Sequence, residues 1–80
     1  MLSRIKDYIR DDEFRLTIFS DRIYAINYLE ILSLESDRIS FKVDRGRIVI
    51  KGNNLILNKL LEGEVLISGD VLTVEVSYEE

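Results

Sequence analysis

The chain has no cysteine, no histidine and no proline. Without cysteine there is no disulfide to staple a small fold and no thiolate to hold a metal. Without histidine the usual zinc ligand and the usual general base near neutral pH are both missing. Without proline no strand is marked as an edge by that residue. No apolar run approaches the ~20 residues of a membrane-spanning helix. The opening MLSRIKDYIR lacks the apolar core of a secretory signal. The expectation is a chain retained on the cytoplasmic side of a membrane, touching that membrane at most peripherally.

What remains is short and mildly acidic. Eighty residues make one domain. A domain of this size buries only a little over ~60% of its unfolded surface. Core stabilisation and ordering entropy therefore nearly cancel. With disulfide and thiolate excluded, a partner chain is the support left. The net charge is −4, which argues against a general nucleic-acid binder, whose surface needs a basic face. The charge is unevenly placed along the chain. Glu62, Glu64, Asp70, Glu75, Glu79 and Glu80 stand in 61–80 with no Lys or Arg, whereas 1–60 carry all 11 basic residues. An acidic end of this kind serves solubility; alternatively, it meets a basic patch on another molecule.

Periodicity divides the chain in two. In 1–12, Leu2, Ile5 and Ile9 follow a helical spacing with Ser3 as a cap, which predicts a short amphipathic helix. So short a helix must dock on its own domain, a partner or a membrane surface. From Phe14 the period becomes two. Phe14, Leu16 and Ile18 alternate with polar residues, and so do Ile39, Phe41 and Val43, then Ile48 and Ile50, then Leu72, Val74, Val76 and Tyr78. These are half-buried strands. Turn clusters separate them at Ser20-Asp21, Ser36-Asp37, Asp44-Arg45-Gly46, Gly52-Asn53-Asn54, Glu62-Gly63 and Ser68-Gly69-Asp70. The reading is an all-β domain over 13–80, of mainly antiparallel short strands in a small roll, sandwich or solenoid-like stack, preceded by the helix. Gly46, Gly52, Gly63 and Gly69 are assigned to turns.

One hairpin is placed in register. With Arg45-Gly46 as a two-residue loop, Val43 faces Ile48, Phe41 faces Ile50, and Asp44 and Arg47 flank the turn. A four-residue loop is the alternative. Arg45 is a poor fit, because such turns ask for a positive φ. Phe19, Val49, Ile56 and Leu66 are apolar where alternation asks for polar residues, so the second face of the sheet is not wholly wet.

The inventory for catalysis is thin. There is no nucleophile elbow, and GRIVIKG lacks the Lys-Ser/Thr ending of a phosphate loop. Asp21, Asp37, Asp44 and Asp70 sit in turn clusters, where Asp belongs for backbone reasons. A hydrolase built on them, or a carboxylate metal site, requires those turns to converge. No cofactor and no metal ligand set is read from the chain. Arg38, Lys42, Arg47 and Lys51 fall on one outward face by the strand pattern. They are either a solvated face or a contact for an anionic partner: an acidic protein cluster, a phosphate or an anionic lipid. Without interleaved aromatics they make a weak nucleic-acid footprint. Asn27 is read as a turn residue or, failing that, a partner contact.

Residues 14–78 resemble the YabP/YqfC family of sporulation proteins. FRLTIF is similar to that family's opening strand, and INYLEILSLESDRISFKV to its central stretch, where an Asn-containing strand leads through a polar turn to a second strand. RGRIVIKGNNLILNKLLEGEVLISGDVLTVEVSY carries the glycine and aliphatic spacing from Gly46 to Leu55, then the E-G-E-V-x-I-x-G run of Glu62 to Gly69, then a last strand ending in an aromatic. Phe14 stands where the family often has Pro, and Ile26 to Ile31 lack the His and Gly often found there. The resemblance implies a protein of endospore-forming bacteria, made in the mother cell. It implies a role in building the cortex or coat without enzymatic activity or cofactor. It implies a protein partner as well, in one branch a larger membrane protein, and leaves room for a homo-oligomer. No functional residue is carried over. The alternative is a small β adaptor outside sporulation that holds an anionic surface or ligand.

Overall fold

A computed structural model describes residues 13–78 of the chain. The helix expected over 1–12 lies outside the described residues. The rest is all-β, as the alternation predicts: six antiparallel strands in one open sheet, with no helix among the described residues. The strands are β1 (Arg15–Ile18), β2 (Arg22–Ile26), β3 (Glu30–Leu34), β4 (Arg38–Val43), β5 (Gly46–Leu61) and β6 (Glu64–Tyr78). Their order across the sheet is β1-β2-β6-β5-β4-β3.

β5 and β6 are long where short strands were expected, at 16 and 15 residues. Two clusters assigned to turns, Gly52-Asn53-Asn54 and Ser68-Gly69-Asp70, lie inside these strands, facing each other with Asn53 opposite Asp70. The ladder slips between Lys51 and Gly52 and again between Asn53 and Ile56. Asn54 (φ 55°) and Gly69 (φ 126°) take the positive φ that such residues tolerate. Turn chemistry is here spent on bulges, which bend a strand without reversing it. A straight strand of β5's length would run roughly 50 Å, whereas the longest extent of the molecule is 38 Å.

The bend folds the sheet back on itself. The Asn27 N–H donates to Gly63 O (2.7 Å) and the Leu29 N–H to Lys42 O (2.8 Å), so three residues of chain link the tip of the β5–β6 hairpin to the β4–β5 ladder. At the bend, the Gly52 N–H donates to Asp37 O (3.1 Å), the Leu55 N–H to Ser36 O (2.7 Å) and the Gly69 N–H to Asp21 O (3.3 Å). Each kink thus leans on the turn of a neighbouring hairpin. One apolar cluster results: Ile23 and Ala25 of β2, Ile39, Phe41 and Val43 of β4, Ile48, Ile50 and Leu55 of β5, and Val65 and Ile67 of β6. Phe41 is its largest fully buried side chain, and Tyr28 lies against it with ring centroids 5.3 Å apart.

Two corrections follow. Val43 pairs with Gly46, Phe41 with Ile48 and Ile39 with Ile50. The loop is therefore Asp44-Arg45, and the expected register is off by two residues. The faces survive because a shift of two keeps the pleat. The supposed Asp44–Arg47 flank does not, since Arg47 faces Lys42. Arg45 does take a positive φ, 76°. Of the four glycines assigned to turns, Gly63 occupies one (φ 74°). Gly46 opens β5 and Gly52 and Gly69 lie within strands.

The glycines differ in what replaces them. A Cβ on Gly63 meets nothing within 4 Å, whereas one on Gly69 comes to 2.5 Å from Asn54 O. Gly63→Ala therefore meets only the backbone penalty, about 1–2 kcal/mol. Gly69→Ala adds a steric clash at the bend and is expected to cost roughly 3 kcal/mol or more. Urea unfolding followed by far-UV circular dichroism ranks the two; an equal or reversed order would show that the bend does not depend on Gly69.

Candidate functional site

The four basic residues singled out from the pattern do share a face. Arg38 and Lys42 stand on β4, Arg47 and Lys51 on β5, and all are exposed. The ladder sets Arg38 directly opposite Lys51 and Lys42 directly opposite Arg47. Residues so paired have Cβ atoms about 5 Å apart, and like charges there repel. Neighbouring strands extend the rows. Glu30 faces Lys42 from β3 and Ser77 faces Arg47 from β6, while Thr73 stands beside Lys51.

Between the two basic pairs lies a row of Ser33, Ser40, Val49 and Glu75. Ser40 and Val49 are buried although they lie on the face away from the core cluster. Val49 is one of the residues flagged as apolar out of turn. The Ser33 and Ser40 hydroxyls are 2.6 Å apart, so the buried hydroxyl keeps a partner across β3 and β4. Glu75 pairs with Lys51 at 3.3 Å. Both side chains are about half exposed, so solvent screens that pair strongly. At the Lys42–Arg47 end a depression of about 390 Å³ is lined by Leu32, Lys42, Gly46, Arg47, Ser77 and Tyr78. The arrangement can hold an anionic group over the face, with an apolar contact at its rim.

The turn carboxylates are spread out. Asp21 closes the β1–β2 turn and pairs with Arg22 at 3.0 Å. Asp37 and Asp44 sit in the β3–β4 and β4–β5 turns, and Asp70 at the bend. Among the described residues no group of three or more acidic side chains is placed to hold a metal ion. Asn27 is a turn residue, with φ 64°, and its side-chain Nδ2–H donates to Glu13 O at 2.8 Å.

One polar pair has no signal in the sequence. Tyr24 on β2 and Glu64 on β6 are 40 residues apart in the chain. The strand pairing brings them to one face, where the Tyr24 hydroxyl donates to Glu64 Oε1. That bond, with partial burial and the carboxylate's charge, raises the Tyr24 pKa above the ordinary 10.0, against a smaller opposing effect of Arg15. The pair ties the second strand to the sixth.

Comparison with known protein families, with curated proteins and with solved structures finds no match to this chain.

The shifted tyrosine gives a test. Its raised folded-state value means that the stabilisation is complete below pH 10. It is lost as pH rises from there through the folded value, because the unfolded chain then releases the proton more easily. Tyr24→Phe is expected to flatten the fall of stability at alkaline pH. It should also remove, from the phenolate absorbance titration, a component that ionises above the ordinary tyrosine value. A lost component that ionises at the ordinary tyrosine value would show that the Tyr24–Glu64 bond does not hold the phenol in solution.

Proposed function

We propose that this chain is a non-enzymatic protein of the bacterial spore envelope that takes part in cortex or coat assembly through contacts with other proteins. The observation that carries the contact is the basic face. Two like-charge pairs, Arg38 with Lys51 and Lys42 with Arg47, face each other across adjacent strands. Glu75 answers Lys51 and Glu30 stands opposite Lys42, which leaves the exposed Arg38 and Arg47 beside like charge and open to an anion. The proposed occupant is an acidic cluster on a partner protein, in the simplest case a membrane protein of the sporulating mother cell. The cellular setting rests on the resemblance of residues 14–78 to the YabP/YqfC family. The chain would act in the mother-cell cytoplasm or the developing envelope, peripheral to a membrane, with no cofactor and no nucleic acid.

A second reading uses the same face outside sporulation, as an adaptor for an anionic lipid surface or a phosphate. The depression flanked by Lys42 and Arg47 favours it.

Deletion of the gene in its source organism, followed by counts of heat-resistant spores, tests the first reading. The expected result is a steep drop, with engulfed but poorly encased forespores. Wild-type complementation should restore the count, and Arg47→Glu/Lys51→Glu should not. A normal count on deletion overturns the sporulation reading. Full rescue by the charge-reversed chain removes the face from it. For the adaptor, the same double variant should lower partition onto phosphatidylglycerol vesicles by roughly tenfold or more, since each basic residue near such a surface is worth about 1 kcal/mol. Partition indifferent to charge reversal ends that reading.

A further inference from the structure

Among the described residues, the second half of β6 is a strand edge without protection. β6 pairs with β2 only through Glu64–Ser68. Beyond the bend, no described strand lies on that side. β5 occupies the other side, in unbroken register from Thr73 opposite Lys51 to Tyr78 opposite Gly46. Exposed edges are ordinarily blunted by proline, by lysine, by a bulge or by brevity. The other edges of this sheet are so treated. β1 has four residues. β3 slips between Ile31 and Ser33. The outer half of β5 slips between Leu57 and Lys59 and carries that lysine. From Thr73 to Tyr78 there is no proline, no basic residue and no bulge, only the acid Glu75. Leu72, Val76 and Tyr78 are 66%, 52% and 80% exposed.

We propose that this edge is an interface between two copies of the chain, formed by antiparallel pairing of β6 with β6 about a two-fold axis through Val74. The register follows from the side chains. An axis perpendicular to the sheet keeps the faces only if it passes through a residue. Centred on Glu75, it would set the two carboxylates against each other, and like charges directly opposite repel. Centred on Val74, it sets Val74 against Val74, Leu72 against Val76 and Glu75 against Thr73. From Leu72 to Val76 every apolar residue then meets an apolar one and Glu75 meets a hydroxyl. Leu72, left without a partner on β5 where Lys51 faces Thr73 and Gly52 faces Val71, ends the regular pairing. The same register brings Tyr78 of the second copy to the level of Asp70 and Val71. A groove of about 340 Å³ lies there between the β1–β2 hairpin and β6, lined in part by Ile18, Phe19, Val71 and Leu72. The pairing satisfies the free backbone groups of the edge and covers the three exposed side chains. It joins two sheets of six strands into one of twelve. The interface borders the basic face, whose depression shares Ser77 and Tyr78 with this edge, but the charges of that face lie on β4 and β5, and the interface stands whatever the cellular role.

Analytical ultracentrifugation of the full chain at roughly 100 µM, a range suited to a small interface, gives the first result. The expected species is a dimer. Leu72→Lys/Val76→Lys should give a monomer with an unchanged circular dichroism spectrum, since both side chains are exposed. Register is tested by cross-linking, made clean by the absence of native cysteine. Leu72→Cys and Val76→Cys chains, mixed and oxidised, should join to each other far faster than either joins to itself, and Ser77→Cys should not self-link. A monomeric wild-type chain overturns the proposal. So does a dimer that survives both lysines, which would use another face, and so does self-linking at position 77. A normal spore count after gene deletion would leave these outcomes untouched, so failure of the cellular reading and failure of the dimer are told apart.

Discussion

The close approach of two strand backbones at one bend governs this fold. A Cβ on Gly52 would lie 2.0 Å from Asp70 O, and one on Gly69 would lie 2.5 Å from Asn54 O. Each glycine leaves room for the opposing strand's carbonyl, so β5 and β6 kink at the same level. Without the kink the two strands would form a long flat ribbon, and an isolated two-stranded ribbon is marginal at best in water. With it, the apolar faces of both halves close on one cluster. Phe41 and Ile39 from β4 then share that cluster with Ile23 and Ala25 from β2, strands that are not neighbours in the sheet.

The hairpin turns take their meaning from the bend. Ser36, Asp37 and Asp21 offer backbone carbonyls to N–H groups that the bulges leave without ladder partners. Buried backbone donors without acceptors are costly, so the turns and the kinks stabilise one another. The arrangement also sets the candidate face. Arg38 and Lys42 are fixed against Lys51 and Arg47 because β4 pairs only with the first half of β5, before the kink.

Much of this was legible and some was not, for reasons that can be stated residue by residue. Alternation over Ile39–Val43 and Ile48–Ile50 identified buried positions and placed four cations on the opposite face, because the period of two survives a register error of two. Asn and Gly were read as reversal signals at Gly52 and Gly69, yet the same tolerance of positive φ serves a bulge, and only pairing across strands tells the two apart. β3 was not picked out by alternation, because the slip at Leu32 breaks the pattern. Tyr24 and Glu64 could not be paired in advance, because 40 residues of intervening chain give no local spacing to read.

The charge along the chain has a different shape in space. Residues 61–80 read as an acidic end, but β6 is an inner strand over its first half, between β2 and β5. Its acids are drawn into the sheet one at a time. Glu64 accepts from Tyr24 and Glu75 pairs with Lys51. Asp70 stands at the bend, opposite Asn53. A segment whose carboxylates are dispersed in this way is a poor counterpart for a basic patch on another copy. In the proposed arrangement this leaves the basic face for a partner of different composition and the edge of β6 for a second copy. On the readings proposed above, one surface selects by charge and the other by strand pairing, and together they would link unlike molecules through like ones, as an assembly component must.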